Sequence, residues 1–189
     1  MPSGWNANFP NDMIWDVAVL SRDVATVQTP LFVTRGGNNA RRNNENRQVP
    51  FDGSRVPIAG LDRGIGSRPE FSGTALQIDE TTLAIFEPGS TLVTVAGPPA
   101  VHTITPLKQS LVIAKTMMML KPRLTWARSG GGSVYMQFPY GFVLEWDINA
   151  QDKSEGEIPF RIESRLDPAA VGFTTDDPGY VIVVTDPTP

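Results

Sequence analysis

The chain has 189 residues, enough for one domain with a real core and short of what two domains usually need. Its 17 Gly, 17 Pro and 19% charged residues suit a turn-rich all-β domain, and a net charge of −4 supplies no basic field for gripping duplex nucleic acid. With no Cys and a single His, disulfides, thiolate chemistry, zinc–sulfur sites and most nucleophile–His arrangements are excluded.

In chain order, residues 1–14 hold Trp5 and Phe9 among Pro, Gly and Asn and read as a docking arm. They lack the basic and apolar regions of a secretory signal, which implies synthesis in the cytoplasm. The longest apolar runs, LVIA and MMML, are too short to span a bilayer, so no membrane partner is expected. A domain over residues 15–168 follows, opening with strands at 15–20 and 25–34, the second interrupted by Pro30. Residues 35–48 (RGGNNARRNNENRQ) contain nothing larger than Ala that could enter a core. They read as an extended Arg/Asn-rich loop in which Arg35, Arg41, Arg42 and Arg47 face one acid, Glu45. Docking on another protein surface suits this loop best, an ordinary solvated loop comes next, and nucleic-acid binding last, because it has no aromatic for stacking and no Lys.

Residues 49–73 are punctuated by Gly and Pro, without the spacing of a phosphate-cradling loop. ALQID, LAIFE and TLVTVAG then read as short strands between polar turns. TPLKQSLVIAKT (105–116) is the best helix candidate, with Thr105 as N-cap and Pro106 at the first helical position, while a strand through LVIA stays open. Residues 116–165 read as four consecutive antiparallel strands with one apolar and one charged face. Leu120, Pro122, Leu124 and Trp126 alternate with Lys121, Arg123 and Thr125 in a strand from 117 to 128, roughly 40 Å long. Pro122 cannot donate to a ladder and demands an edge or a bulge. SGGGS turns the chain. Phe142, Leu144, Trp146 and Ile148 then alternate with Val143, Glu145, Asp147 and Asn149, and after QDKSEG, Ile158, Phe160 and Ile162 alternate with Pro159, Arg161 and Glu163. The expected core is Leu124, Trp126, Leu144, Trp146, Phe160 and Ile162. A C-terminal arm, 169–189, carries YVIVV as an added strand.

Catalytic material is scarce. His102 stands alone beside Pro98 and Pro99 and reads as structural. Glu145 and Asp147 share a strand face, a spacing open to acid–base work, but Arg161 and Arg165 stand ready to neutralise that face across the strands. No enzymatic activity, cofactor or metal is expected. From residue 145 onward there are ten acids against Lys153, Arg161 and Arg165, so the basic early loop and the acidic last third have the polarity for head-to-tail self-association.

The run VPIAGLDRGIG…PEFSG, then TPLKQSLVIA, then a hairpin, then FVLEWDINAQDKSEGEIPFRIESRLDP resembles the tail tube (major tail) proteins of long-tailed bacteriophages, in order and spacing over roughly residues 50–168. The resemblance implies a β-sandwich with one flanking helix, six copies in a ring, and rings stacked into a conduit for genome ejection. It implies an inner wall built from hairpins of six subunits, an early loop (here residues 35–48) reaching the adjacent ring, and terminal arms bridging neighbours. The partners implied are other copies of the chain, other tail proteins, and double-stranded DNA passing without specific binding; the place is the virion. Arg35, Arg41, Arg42 and Arg47 become candidates for inter-ring contact. Glu145, Asp147 and Glu163, with Lys121 and Arg123, become candidates for facing the channel. The competing readings are a head decoration or tail-completion protein and a β-sandwich binding module. The last predicts exposed Trp and Tyr on one face, whereas Trp126 and Trp146 fall in phase with Leu and Ile.

Overall fold

A computed structural model describes residues 14–48, 62–76, 80–108, 112–149, 156–167 and 179–186. Among the described residues, twelve strands and one short α-helix follow in order: β1 (Ile14–Val24), β2 (Val27–Pro30), β3 (Asn39–Gln48), β4 (Asp62–Ala75), α1 (Glu80–Phe86), β5 (Thr91–Val95), β6 (Val101–Thr105), β7 (Met119–Leu120), β8 (Arg123–Arg128), β9 (Ser133–Gln137), β10 (Tyr140–Trp146), β11 (Ile158–Arg165) and β12 (Val181–Thr185). They form two five-stranded antiparallel sheets, β12-β9-β8-β1-β2 (sheet A) and β3-β4-β11-β10-β7 (sheet B), with β5 and β6 as a separate two-stranded hairpin. The fold is all-β with one helix, as the sequence implies.

The core lies between the sheets. Leu20, Leu124 and Met136 enter it from sheet A; Phe71, Val143, Ile158, Phe160 and Ile162 enter from sheet B. Phe71 stacks on Phe138 at 3.8 Å between ring centroids, and Phe32 meets Phe160 edge-on at 5.3 Å. α1 closes one side by burying Phe86, whose ring lies 5.4 Å from Phe32 and 6.1 Å from Trp146. Such ring pairs add about 0.5–1.5 kcal/mol each beyond the area they bury.

The four consecutive strands do not share one sheet. β8 and β9 belong to sheet A, β10 and β11 to sheet B, and the chain crosses between them at the fully buried Phe138 and at Pro139. A second crossing divides the expected long strand at residues 121–122. Lys121 adopts φ +44° and Pro122 is buried, so β7 pairs in sheet B and β8 in sheet A. Pro122 therefore sits at a corner, where the missing donor costs nothing and its carbonyl still accepts from the Phe138 N–H. Gly141 is small for this corner: a Cβ there would stand 2.7 Å from Pro122 Cγ and 2.9 Å from Ile162 Cγ2.

Three further expectations are corrected. Residues 39–48 form a strand, not a loop, laddered along β4 from Asn39↔Ser72 to Gln48↔Asp62. Only Ala40, opposite Phe71, packs on the core, so no apolar alternation marks the strand in sequence. Second, the helix is in ETTLAIF, not in 105–116. Thr105 pairs with Thr91 in the β5–β6 ladder and is thus unavailable as a cap, and residues 115–117 make only one 3-10 turn. Leu83 and Phe86, three apart, share the helix face that packs on the core. Third, a bulge between Val143 and Glu145 breaks the alternation of β10. Val143 is buried, Leu144 is 39% exposed rather than core, and Phe142 lies on the outer face opposite Glu163. Of the other expected core residues, Leu124, Phe160 and Ile162 are buried, while Trp126 and Trp146 are half-buried against the core.

YVIVV is indeed a strand, but it is used within its own chain: β12 pairs with β9 over five residues. The arm carrying Trp5 and Phe9, the QDKSE part of the acidic turn and the segment around Val56 lie outside the described residues.

Candidate functional site

Three surfaces carry the side chains singled out in the sequence: the outer face of each sheet and the ribbon made by β3 and β4.

The ribbon follows from unequal strand lengths. β11 pairs with β4 only from Glu70 to Ala75, whereas β3 follows β4 down to Asp62. Residues 62–69 and 42–48 thus form a two-stranded extension beyond sheet B, about 25 Å long at roughly 3.3 Å per residue. Its root is pinned by the C-terminal segment. The Arg42 guanidinium lies over the Tyr180 ring at 5.6 Å, and Ser164 Oγ donates to the Gly179 carbonyl. The four basic candidates are therefore spread rather than gathered. Arg35 is spent in its own chain on Glu157 at 2.9 Å. Arg41 stands on the outer face opposite Glu70, Arg42 lies on the other face, and Arg47 is far along the ribbon opposite Arg63.

The outer face of sheet B is a charge mosaic. Strand alternation places Arg41, Arg68, Arg161 and Arg165 there with Glu70, Glu145, Asp147 and Glu163, so both signs are interspersed. Arg161 Nε lies 3.3 Å from Glu145 and 3.9 Å from Glu70, ion pairs without an aligned hydrogen bond. Arg165 pairs with Glu163 and lies over the Phe142 ring at 5.2 Å. The cross-strand neutralisation expected for Glu145 is thus present, while Asp147 accepts a hydrogen bond from the Ile148 N–H at 2.8 Å.

Arg123 stands beside Gln137 on the outer face of sheet A. Arg123 donates twice to Gln137 Oε1, at 3.0 and 2.7 Å, and stacks on Tyr135 at 4.0 Å. Lys121, at the corner between the sheets, reaches Asp23 at 3.6 Å. The outer faces of a sandwich look in opposite directions. The five channel-facing candidates hence cannot share one wall: Glu145, Asp147 and Glu163 lie on sheet B, Arg123 on sheet A.

The third feature was legible only in part. β12 and the β5–β6 hairpin expose Val181, Ile182, Val184, Leu92, Val93, Val95 and Val101. Their β-branched runs mark strands in sequence, but nothing in the sequence says that they stay uncovered.

Among the described residues no group of three His, Asp or Glu could hold a metal ion, and no helix is long and apolar enough to cross a membrane. His102 Nδ1 lies 3.0 Å from Thr94 Oγ1 across the hairpin, with no carboxylate hydrogen-bonded to it. The concave sites are shallow; one, of about 360 Å³, is lined by Ser72, Glu145, Trp146, Asp147, Pro159, Phe160 and Arg161.

No family model matches the sequence, and no curated protein matches it. Among solved structures, the chain is similar to a chain of the virion of a native gene transfer agent particle, at TM-score 0.47 and 12% identity over 89% of this chain and 95% of that one. It is also similar to a chain of the tail of an empty gene transfer agent particle refined with C6 symmetry, at TM-score 0.42 and 12% identity over 84% of this chain and 96% of that one.

Proposed function

We propose that this chain is the tube-forming protein of a phage-type tail, six copies closing into a ring and rings stacking into a conduit for DNA. The observation that carries the reading is sheet B: a charge-balanced outer face on long strands, prolonged by a ribbon that leaves the body of the domain. The sequence resemblance over residues 50–168 points the same way.

The geometry suits a closed wall. β3, β4, β11 and β10 alternate in direction, so β10 of one copy can meet β3 of the next antiparallel, and the ring closes without a free edge. β7 covers β10 only at Tyr140 and Gly141, leaving the edge beyond open. Four strands per copy, spaced about 4.8 Å, give a six-fold wall with a circumference of about 115 Å and a backbone diameter of about 37 Å. Side chains reduce that to a bore of roughly 25 Å, wide enough for a duplex.

The mechanism is conduction without capture. Each phosphate contact by an unpaired Arg or Lys strengthens retention of DNA through counterion release. Here Arg161 and Arg165 are already paired to Glu145, Glu70 and Glu163, so the face offers the duplex polar, hydrated contact with little net attraction. Glu145, Asp147 and Glu163 face the channel in this reading; Arg123 faces away from it and Lys121 stands at the corner. The ribbon, with Arg41, Arg42 and Arg47, reaches toward the next ring. The chain has no catalytic role in this account; it acts as virion structure.

Electron microscopy of the purified chain through a salt series tests this. Hollow six-fold rings or tubes are expected, and replacing Arg41, Arg42 and Arg47 together by Ala should leave rings that stack poorly. Trimers at every concentration would instead favour a head decoration protein, and persistent monomers a binding module.

A further inference from the structure

The β5–β6 hairpin is built unlike the rest of the domain. It joins neither sheet, and nine of its ten strand residues are exposed, only Ile104 being half-buried. One face, with Leu92 and Ile104, is turned toward α1. The other face presents Val93, Val95 and Val101, each more than half exposed, among threonines. From residue 91 to 105 there is no charged side chain. An isolated two-stranded hairpin is marginally stable in water, and apolar side chains on its open face add to the cost of leaving it so.

At another margin of the molecule lies a strand edge with the same character. β12 ends sheet A and pairs on one side only, with β9. It exposes Val181, Ile182 and Val184 at 54–59%, and between Val181 and Thr185 it holds no charge and no Pro. Edges are normally guarded by Lys, Pro, bulges or brevity. The other three are guarded: β2 ends in Pro30, β3 carries Arg41, Arg42, Glu45 and Arg47, and β7 is two residues long. β12 is instead anchored for load. Thr185 Oγ1 bonds Ser133, and Arg128 pairs with Asp186 at 2.8 Å.

We infer that the β5–β6 hairpin of one copy of this chain adds to the free edge of β12 in a neighbouring copy. The match is one of length, five residues against five, and of charge. An uncharged hairpin laid on β3 would set its valines beside Arg41 and Arg42 and take water from those guanidinium groups without supplying a counter-charge, a penalty absent at β12. Main-chain hydrogen bonds from the added strand would supply affinity, and the valines of both copies the buried area. The contact is heterologous, each copy giving a hairpin on one side and receiving one on the other, as a ring requires. It deepens the proposed tube by a second seam on sheet A, separate from the sheet B wall.

Because the chain lacks Cys, single substitutions give unique labels. One preparation carries Val93→Cys; three others carry Val181→Cys, Ile182→Cys or Val184→Cys. Each is mixed with the first under mild oxidation and read by non-reducing electrophoresis and electron microscopy. A cross-strand neighbour lies within the roughly 4.4–6.8 Å that a disulfide accepts between Cα atoms. The expected result is a dimeric band for at least one β12 position, lost when Val95→Asp is added to the hairpin partner. Far-UV dichroism should be unchanged in every variant, since all these side chains are exposed. Rings or tubes with no hairpin–β12 band, or with the band unaffected by Val95→Asp, would overturn the pairing and leave the tube standing. The band in particles without a hollow ring would keep the pairing and remove the tube. Monomers without any band would overturn both.

Discussion

The molecule carries two projecting ribbons of opposite character. The extension of β3 and β4 is rich in Arg and Asn; the β5–β6 hairpin is free of formal charge and apolar on its open face. Both are two-stranded, and neither is stabilised by a third strand. The charged ribbon, built of side chains that water solvates well, gains from a partner chiefly through electrostatic steering. The apolar hairpin gains by being covered. In the proposed tube this difference would give them distinct tasks: an outward reach whose strength depends on salt, and a seam whose strength does not.

Several substitutions sharpen that contrast. The largest expected effect falls where neither ribbon is involved. Phe160→Ala empties the point where Phe32 and Phe86 converge and should cost about 3–5 kcal/mol in urea unfolding. Gly141→Val, which forces a side chain against Pro122 and Ile162, should cost about 1–3 kcal/mol. Val93→Asp on the open hairpin should change the stability of the isolated chain by no more than about 0.5 kcal/mol while abolishing assembly seen by light scattering. A Val93 variant that unfolds the monomer would mean that the hairpin belongs to the core and would end the contrast.

These effects could be ranked from the sequence only in part. The alternation around Leu124 and around Phe160 and Ile162 placed both inner faces, because the side-chain period of a strand is two. The bulge at Leu144 and the corner at Lys121 and Pro122 each shift that period by a residue for reasons of tertiary path, so alternation misplaces β10 ahead of the bulge while keeping Trp146 inward, and predicts one long strand where two lie. β3 leaves no apolar trace, since Ala40 is the one apolar residue between Asn39 and Gln48. The helix hid in LAIFE because seven residues give too few turns for a 3.6-residue period to separate from alternation. The charged outer face was legible as a set of residues, though not which candidates share it. That depends on which sheet each strand joins.

The smallest effects concern electrostatics at the rim. Arg161→Ala releases Glu145 and Glu70 and should cost about 1 kcal/mol, since the Arg161 side chain is 41% exposed and its pairs are partly screened by water. It should nonetheless alter how the assembled chain handles duplex DNA, measured as retention on a DNA column at low salt. Lys115 is held above the usual lysine range, first by its hydrogen bond to Asp167 and then by Tyr140. Its pairing is therefore complete below the ordinary lysine pKa and is lost as pH rises through the elevated value. Hydrogen exchange of residues 115–117 should quicken relative to β8 in that alkaline window, and Asp167→Asn should remove the difference.

The central claim is that sheet B's balanced face lines a channel. Its most direct test is an electron-microscopic reconstruction of particles assembled from the purified chain, at a resolution that places strands. The account predicts a six-fold hollow wall with β3, β4, β11 and β10 innermost and Arg161 and Glu163 pointing into the bore. A hollow assembly with that face outermost, or a closed particle with no bore, would contradict it.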